Sequence, residues 1–174
     1  MAMSARERKQ AQREAERIEM SRLPDSTYDY LRQPFHQWIN DDPNFSSVEL
    51  PLELAGFEPP VFDDDEGPAS YANETALDPD LSPEETFPGY SGSIGRAEVM
   101  VDCLLDAALE LAQIINRYKL DELSARRREI ERSDLPDAAT RKLAFDEMAR
   151  IAKIEAELSK NIRRTIPQWK VKGV

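Results

Sequence analysis

Few side chains in this chain are of types that do covalent or metal chemistry, and none of them recurs at a catalytic spacing. There is one histidine, His36, and one cysteine, Cys103. A single cysteine allows no intrachain disulfide and no zinc cluster. It falls beside an apolar stripe, where a buried, inert thiol is expected. His36 has no second histidine or cysteine near it to share a metal, and no neighbour that makes it a general base. Asp63-Asp64-Asp65-Glu66 is dense in carboxylate, yet calcium loops alternate their ligands and end on a distal glutamate. Contiguous acids followed at once by Gly67 read as a solvated acidic run. Gly89, Gly92 and Gly95 precede a helical pattern as a phosphate loop would. They lack the lysine and hydroxyl of a P-loop and the strand that leads into one. They read as a flexible lead-in, with Ser93 as helix cap. No catalytic residue, metal site or cofactor is expected, and the chain reads as a non-enzyme.

The elements around these residues are helical. From Ile94 to Arg164 runs the one stretch with enough apolar periodicity to make a core. Val101, Leu104, Ala108, Leu111, Ile115 and Tyr118 fall three and four apart, an apolar stripe on one helix face. Leu105, Ala112 and Ile114 widen it. After Tyr118 the pattern shifts to Leu120, Leu123 and Ile130, a stutter in the repeat. Ser133-Asp134-Leu135-Pro136-Asp137 is a turn, with Pro136 in a first helical turn and Asp134 or Asp137 as cap. A second helix carries Ala144, Met148, Ile151, Ile154, Leu158 and Ile162. The expected fold is therefore all-α: a long antiparallel helical hairpin over 94–166. Its seam is Val101, Leu104, Leu111, Ile115 and Tyr118 against Met148, Ile151, Leu158 and Ile162. Two helices bury one seam only, so the extra apolar side chains call for another surface. That surface is a second copy in a coiled-coil-like oligomer, a different protein, or the aromatic segment of the same chain.

Four other segments complete the organisation. Residues 1–23 are a charged helical arm opened by the capping box Ser4-Ala5-Arg6-Glu7, with little apolar content. Residues 24–40 hold Tyr28, Leu31, Phe35 and Trp38 at helical spacing. Pro34 interrupts them and predicts two short turns. These rings dock on the hairpin or on a partner's groove. Residues 41–93 are an acidic, proline-rich linker: fourteen acids lie in 41–85, and no lysine or arginine stands between Arg32 and Arg96. Like charges and proline predict an extended, partly disordered strap. Leu50, Leu52, Phe57 and Phe62 recur through it. Val48, Leu50, Leu52 and Leu54 alternate at period two, the pattern of a strand added to a partner's sheet edge. Residues 167–174 are a basic tail with Trp169 in it.

The net charge is −11, from 23 basic and 34 acidic residues over 174. This argues against a general nucleic-acid coat and leaves only the basic ends for phosphate contact. Pairing of the acidic middle, at −14, with the remaining +3 is a further expectation. A ribbon-helix-helix reading, with Ile18–Pro24 as strand, lacks its second helix because Pro43 and Pro51 interrupt the stretch where that helix would lie. No run of apolar residues suits a membrane span, and the charged opening suits no leader, so a cytoplasmic protein is expected.

The opening Met3-Ser4-Ala5-Arg6-Glu7-Arg8-Lys9 resembles the starts of many small phage and prophage proteins. That resemblance covers about fifteen low-complexity residues and implies an accessory, assembly or regulatory role, including a place in a virion. The residues themselves point to a protein–protein interaction and assembly protein, with Tyr28, Leu31, Phe35, Trp38, Leu50, Leu52, Phe57, Phe62 and Trp169 against a partner. The alternative is a regulator or inhibitor that occupies a nucleic-acid machine's basic cleft through its carboxylates.

Overall fold

The computed structural model describes residues 4–174, with backbone alone at positions 83 and 84. Met1–Met3 of the charged arm, and the side chain of Glu84 in the acidic segment, therefore lie outside the described residues. The chain is mostly helical, and among the described residues there is no strand beyond one isolated bridge between Asp25 and Lys172. It divides into two compact units, residues 1–103 with 168–174, and residues 104–167.

In the first unit, α1 (Ala5–Arg22) starts on the capping box: the Glu7 N–H donates to Ser4 Oγ at 3.3 Å, and Ser4 N–H donates back to Glu7 at 2.6 Å. No residue of α1 is buried, as its composition predicts. Ile18–Arg22 lies inside this helix, which overturns the strand required by a ribbon-helix-helix. A single turn at Tyr28–Tyr30 and the short α2 (Phe35–Ile39) come next, separated at Pro34. The residue before a proline is held out of the helical region, so two turns form where spacing alone suggests one helix.

The acidic segment is not the extended strap its composition suggests. It folds into α3 (Ser46–Leu54), α4 (Pro68–Tyr71) and α5 (Pro83–Thr86). Val48, Leu50, Leu52 and Leu54 belong to α3, so their alternation does not mark a strand. Phe62 is buried and meets Phe35 and Phe45 in T-shaped contacts, with centroids 5.4 and 6.5 Å away. These rings give the first unit a small aromatic core. α6 (Gly92–Arg132) begins in this unit, and all round its first two turns Ser93, Gly95, Arg96 and Glu98 are buried. Gly89 has φ +79° and comes so close to Arg22 that a Cβ there would lie 2.5 Å from its carbonyl oxygen. The glycine is needed both for its backbone angle and for this approach.

In the second unit the rest of α6 is accompanied by α7 (Ala138–Leu158). Asp137, not Asp134, caps α7 by accepting from the Thr140 N–H at 2.8 Å, and Pro136 precedes the cap. Asn116 donates to the Leu158 carbonyl at 2.9 Å; Arg126 pairs with Glu147, and Arg127 with Glu155. Ile151 is the buried apolar residue of this unit, at 2 % exposure.

Candidate functional site

Two features stand out: a buried ionic cluster in the first unit and a bare apolar length of helix in the second. The cluster is built around the start of α6. A 41-residue helix leaves its first N–H groups without partners. Here the cap comes from 28 residues upstream, because Asp65 Oδ1 accepts from both the Ser93 N–H at 3.0 Å and the Ser93 hydroxyl at 2.6 Å. Ser93 Oγ in turn accepts from the His36 N–H at 3.0 Å. The Ser93 side chain and then its backbone N–H hold the Asp65 carboxyl below the usual aspartate range. Ser93 is thus not the cap expected of it but a fully buried relay to the cap.

One turn on, the Arg96 guanidinium is buried between two rings, 3.7 Å from the Tyr71 centroid and 4.8 Å from that of Phe62. Its Nη1 donates to Asp64 Oδ1 at 3.3 Å, and Tyr71 donates to the other Asp64 oxygen at 2.7 Å. The Tyr71 hydroxyl, then the Glu66 N–H, hold the Asp64 carboxyl low, and Arg96 adds to this. The acidic run 63–66 is therefore not simply solvated. Two of its four carboxylates pin the segment to α6.

On the opposite side of α6, Glu98 is buried and accepts from the Tyr28 hydroxyl at 2.6 Å. Burial raises the Glu98 carboxyl despite that bond, and burial beside Glu98 raises the Tyr28 phenol. The basic tail returns here. Lys170 pairs with Asp102 and with the Tyr90 hydroxyl. Asp25 accepts from the Val171 and Thr27 N–H groups, at 2.5 and 2.8 Å. The tail thus meets Asp25 and Asp102, not the acids of 41–85.

In the first unit a cleft of about 450 Å³ borders Asp65, Gly92, Tyr28 and Arg32. Its acid and its phenol are already committed to Ser93 and Glu98. His36 Nδ1 is buried without a hydrogen-bond partner, 3.7 Å from Asp65 Oδ1. Among the described residues no group of His, Cys, Asp and Glu is arranged to hold a metal.

The expected contact residues divide. Phe35 and Phe62 are joined in the aromatic core, Tyr28 is bonded to Glu98, and Leu52 is half-buried. Leu31, Trp38, Leu50, Phe57 and Trp169 are exposed. Of the expected seam, Met148 and Leu158 are half-buried and Ile151 is buried. Val101, Leu104, Leu111, Ile115 and Tyr118 are all exposed, and Ile162 lies beyond the end of α7 at 87 % exposure. The contacts of α6 with α7 use Asn116, Arg126 and Arg127 instead. Asn116 and Arg127, with half-buried Leu120, Leu123 and Ile130, lie about 120° round the helix from the expected stripe, at about 100° per residue, while Arg126 lies within about 40° of it. The stripe is apolar, as its spacing says, but α7 is not the neighbour that covers it. Cys103, expected inside, is exposed.

Sequence reasoning does not reach Arg96 or the tail contacts. A signal for Arg96 exists: it is the first cation after a long cation-free acidic segment. The chain matches no protein-family model, no curated protein and no solved structure. No helix among the described residues is long and apolar enough to cross a membrane.

Proposed function

We propose that the chain is a non-catalytic interaction and assembly protein whose α6 and α7 form a helical hairpin, the rigid unit on which another polypeptide is laid. The observation behind this is the bare length of α6. Leu104, Leu109, Leu111, Ile114, Ile115 and Tyr118 are each between 44 and 64 % exposed. Only Asp106, Glu110 and Gln113 interrupt residues 104–115, and they share one side of the helix. Leu109 lies on the far flank, but the other five share an arc of about 100° and, at about 100 Å² of exposed apolar surface each, offer roughly 500 Å². This is over half of the ~800 Å² per partner of a standard interface. The occupant is another protein or a second copy of this chain. Trp38, Leu50, Leu54, Phe57 and Val61 add exposed apolar contacts in the first unit. A virion or assembly accessory fits the resemblance of the opening to phage and prophage proteins.

The test is a photo-crosslinking residue at position 111 or 115 of the full chain, with Arg141 on α7 as control. A discrete adduct from 111 and 115, absent from 141 and retained at high salt, is expected. An adduct of twice the chain's mass identifies a second copy. Equal labelling from all three positions refutes the reading. Steep release with salt favours instead a carboxylate mimic of nucleic acid in a basic cleft.

A further inference from the structure

The last seven residues are seated like a bound peptide. Asp25 and Lys172 form an antiparallel bridge, with the Ser26 N–H donating to the Val171 carbonyl at 2.6 Å, and the Val171 N–H donates to the Asp25 carboxylate at 2.5 Å. In an extended chain alternate side chains share a face. Lys170 and Lys172 accordingly point the same way, their ammonium groups 5.0 and 4.6 Å from the centroid of the Tyr90 ring. Three carboxylates lie near the two ammonium groups. Asp25 and Glu98 are 2 and 5 % exposed, and Asp102 is paired with Lys170. Lys172 also donates to the Ser21 carbonyl at 2.6 Å. The recognition elements are thus a short backbone edge, one aromatic face and an acidic floor. They read lysines two residues apart and the glycine that follows, since Gly173 has φ +73° and leaves no room for a Cβ against Met20; the side chains of Val171 and Val174 are exposed, at 39 and 97 %.

We propose that this groove is a binding site for an extended strand carrying lysines two residues apart. The chain's own residues 168–174 hold it closed in cis, and a partner protein's Lys-X-Lys strand takes it when this segment leaves. This is independent of the apolar face of α6. Residues 159–167, which lead to the tail, are exposed and non-helical, and beyond Ser159 and Lys160, which are bonded to the end of α7, residues 161–167 have no hydrogen bond among the described residues to hold them. A short flexible tether presents the tail at an effective concentration of about 1 mM. A free strand of similar affinity at micromolar concentration therefore fails against the intact chain and succeeds once the tether is cut.

The experiment uses the full chain with a protease recognition sequence placed within residues 162–166. The probe is a fluorescent peptide, Gln-Trp-Lys-Val-Lys-Gly-Val, followed by anisotropy. The uncut chain should not bind it at micromolar concentration. The cut chain, dialysed free of its tail, should bind one equivalent. Peptide bearing Lys170→Gln and Lys172→Gln should bind at least tenfold more weakly, and raising salt from about 0.05 to 0.5 M should weaken the lysine peptide further. The uncut full chain with Lys170→Gln and Lys172→Gln should bind the lysine peptide at least about tenfold more tightly than the uncut parent chain does. A cut, folded chain that ignores the lysine peptide, or binds the glutamine peptide equally, overturns the proposal. If the cut chain unfolds on losing its tail, refolding by the lysine peptide alone supports the site, and refolding by neither or by both overturns it.

Discussion

Arg96→Ala should destabilise the first unit by about 2–3 kcal/mol. Two desolvated cation–π contacts, with Phe62 and Tyr71, contribute about 1–2 kcal/mol each. The buried stem adds about 0.8 kcal/mol per CH₂ removed, for two or so such groups. The ion pair is left out of the sum, because Asp64 is 46 % exposed and water replaces the guanidinium there. Against these stands the cost of burying a guanidinium whose Nε has no partner, about 1–3 kcal/mol, which the substitution relieves. Both tryptophans, Trp38 and Trp169, lie in this unit, so their fluorescence during urea denaturation reports on it. With m of about 2 kcal/mol/M the midpoint falls by roughly 1–1.5 M. Arg96→Lys keeps the charge but not the flat stack and should lose about half as much. Arg126→Ala removes an exposed cation paired with Glu129 in the other unit and should leave the tryptophan transition within about 0.5 kcal/mol. An Arg96→Ala midpoint indistinguishable from the parent would show that the rings and Asp64 do not hold the acidic segment onto α6.

Ile151→Ala should cost about 2–4 kcal/mol by far-UV circular dichroism of thermal unfolding, while Leu111→Ala at dilution should cost under about 1 kcal/mol, since only Ile151 is buried. Gly89→Ala, strained in angle and blocked by the Arg22 carbonyl, should lower stability by at least about 1–2 kcal/mol in the same assay. Acid should loosen the first unit. Asp65 has a lowered folded pKa because Ser93 bonds its charged form; Asp25 is lowered too, since bonds from Thr27 and Val171 outweigh its burial. Their contribution is therefore present above the unfolded value near 3.8 and is lost as pH falls through the lower folded values. Asp65→Asn should shrink this acid limb in tryptophan-monitored pH titrations. Glu98 carries the opposite sign: its raised folded pKa means stability falls as pH rises from the usual value of 4.5 toward the folded one, and Glu98→Gln should abolish that limb.

Local chemistry alone determined much of the helical layout. The capping box at Ser4, the break at Pro34, the cap at Asp137 and the long apolar period after Ile94 all rest on backbone groups and side chains a few residues apart, and such interactions are written in consecutive letters. The acidic segment departs from its composition for a physical reason. Its charge predicts repulsion and extension, yet two of its carboxylates find partners, Arg96 and Ser93, about thirty residues away, and those bonds offset the repulsion. The choice of seam has the same character. Periodicity shows which residues of α6 are apolar, but a helix apolar over most of its girth does not say which side α7 takes. α7 stops at Leu158, beside Asn116, so among the described residues no helix covers the stripe from Leu104 to Ile115. The tail is the furthest case. Lysines at 170 and 172 look like ordinary basic residues until folding brings Asp25, Tyr90 and Asp102, scattered across the chain, around one extended strand.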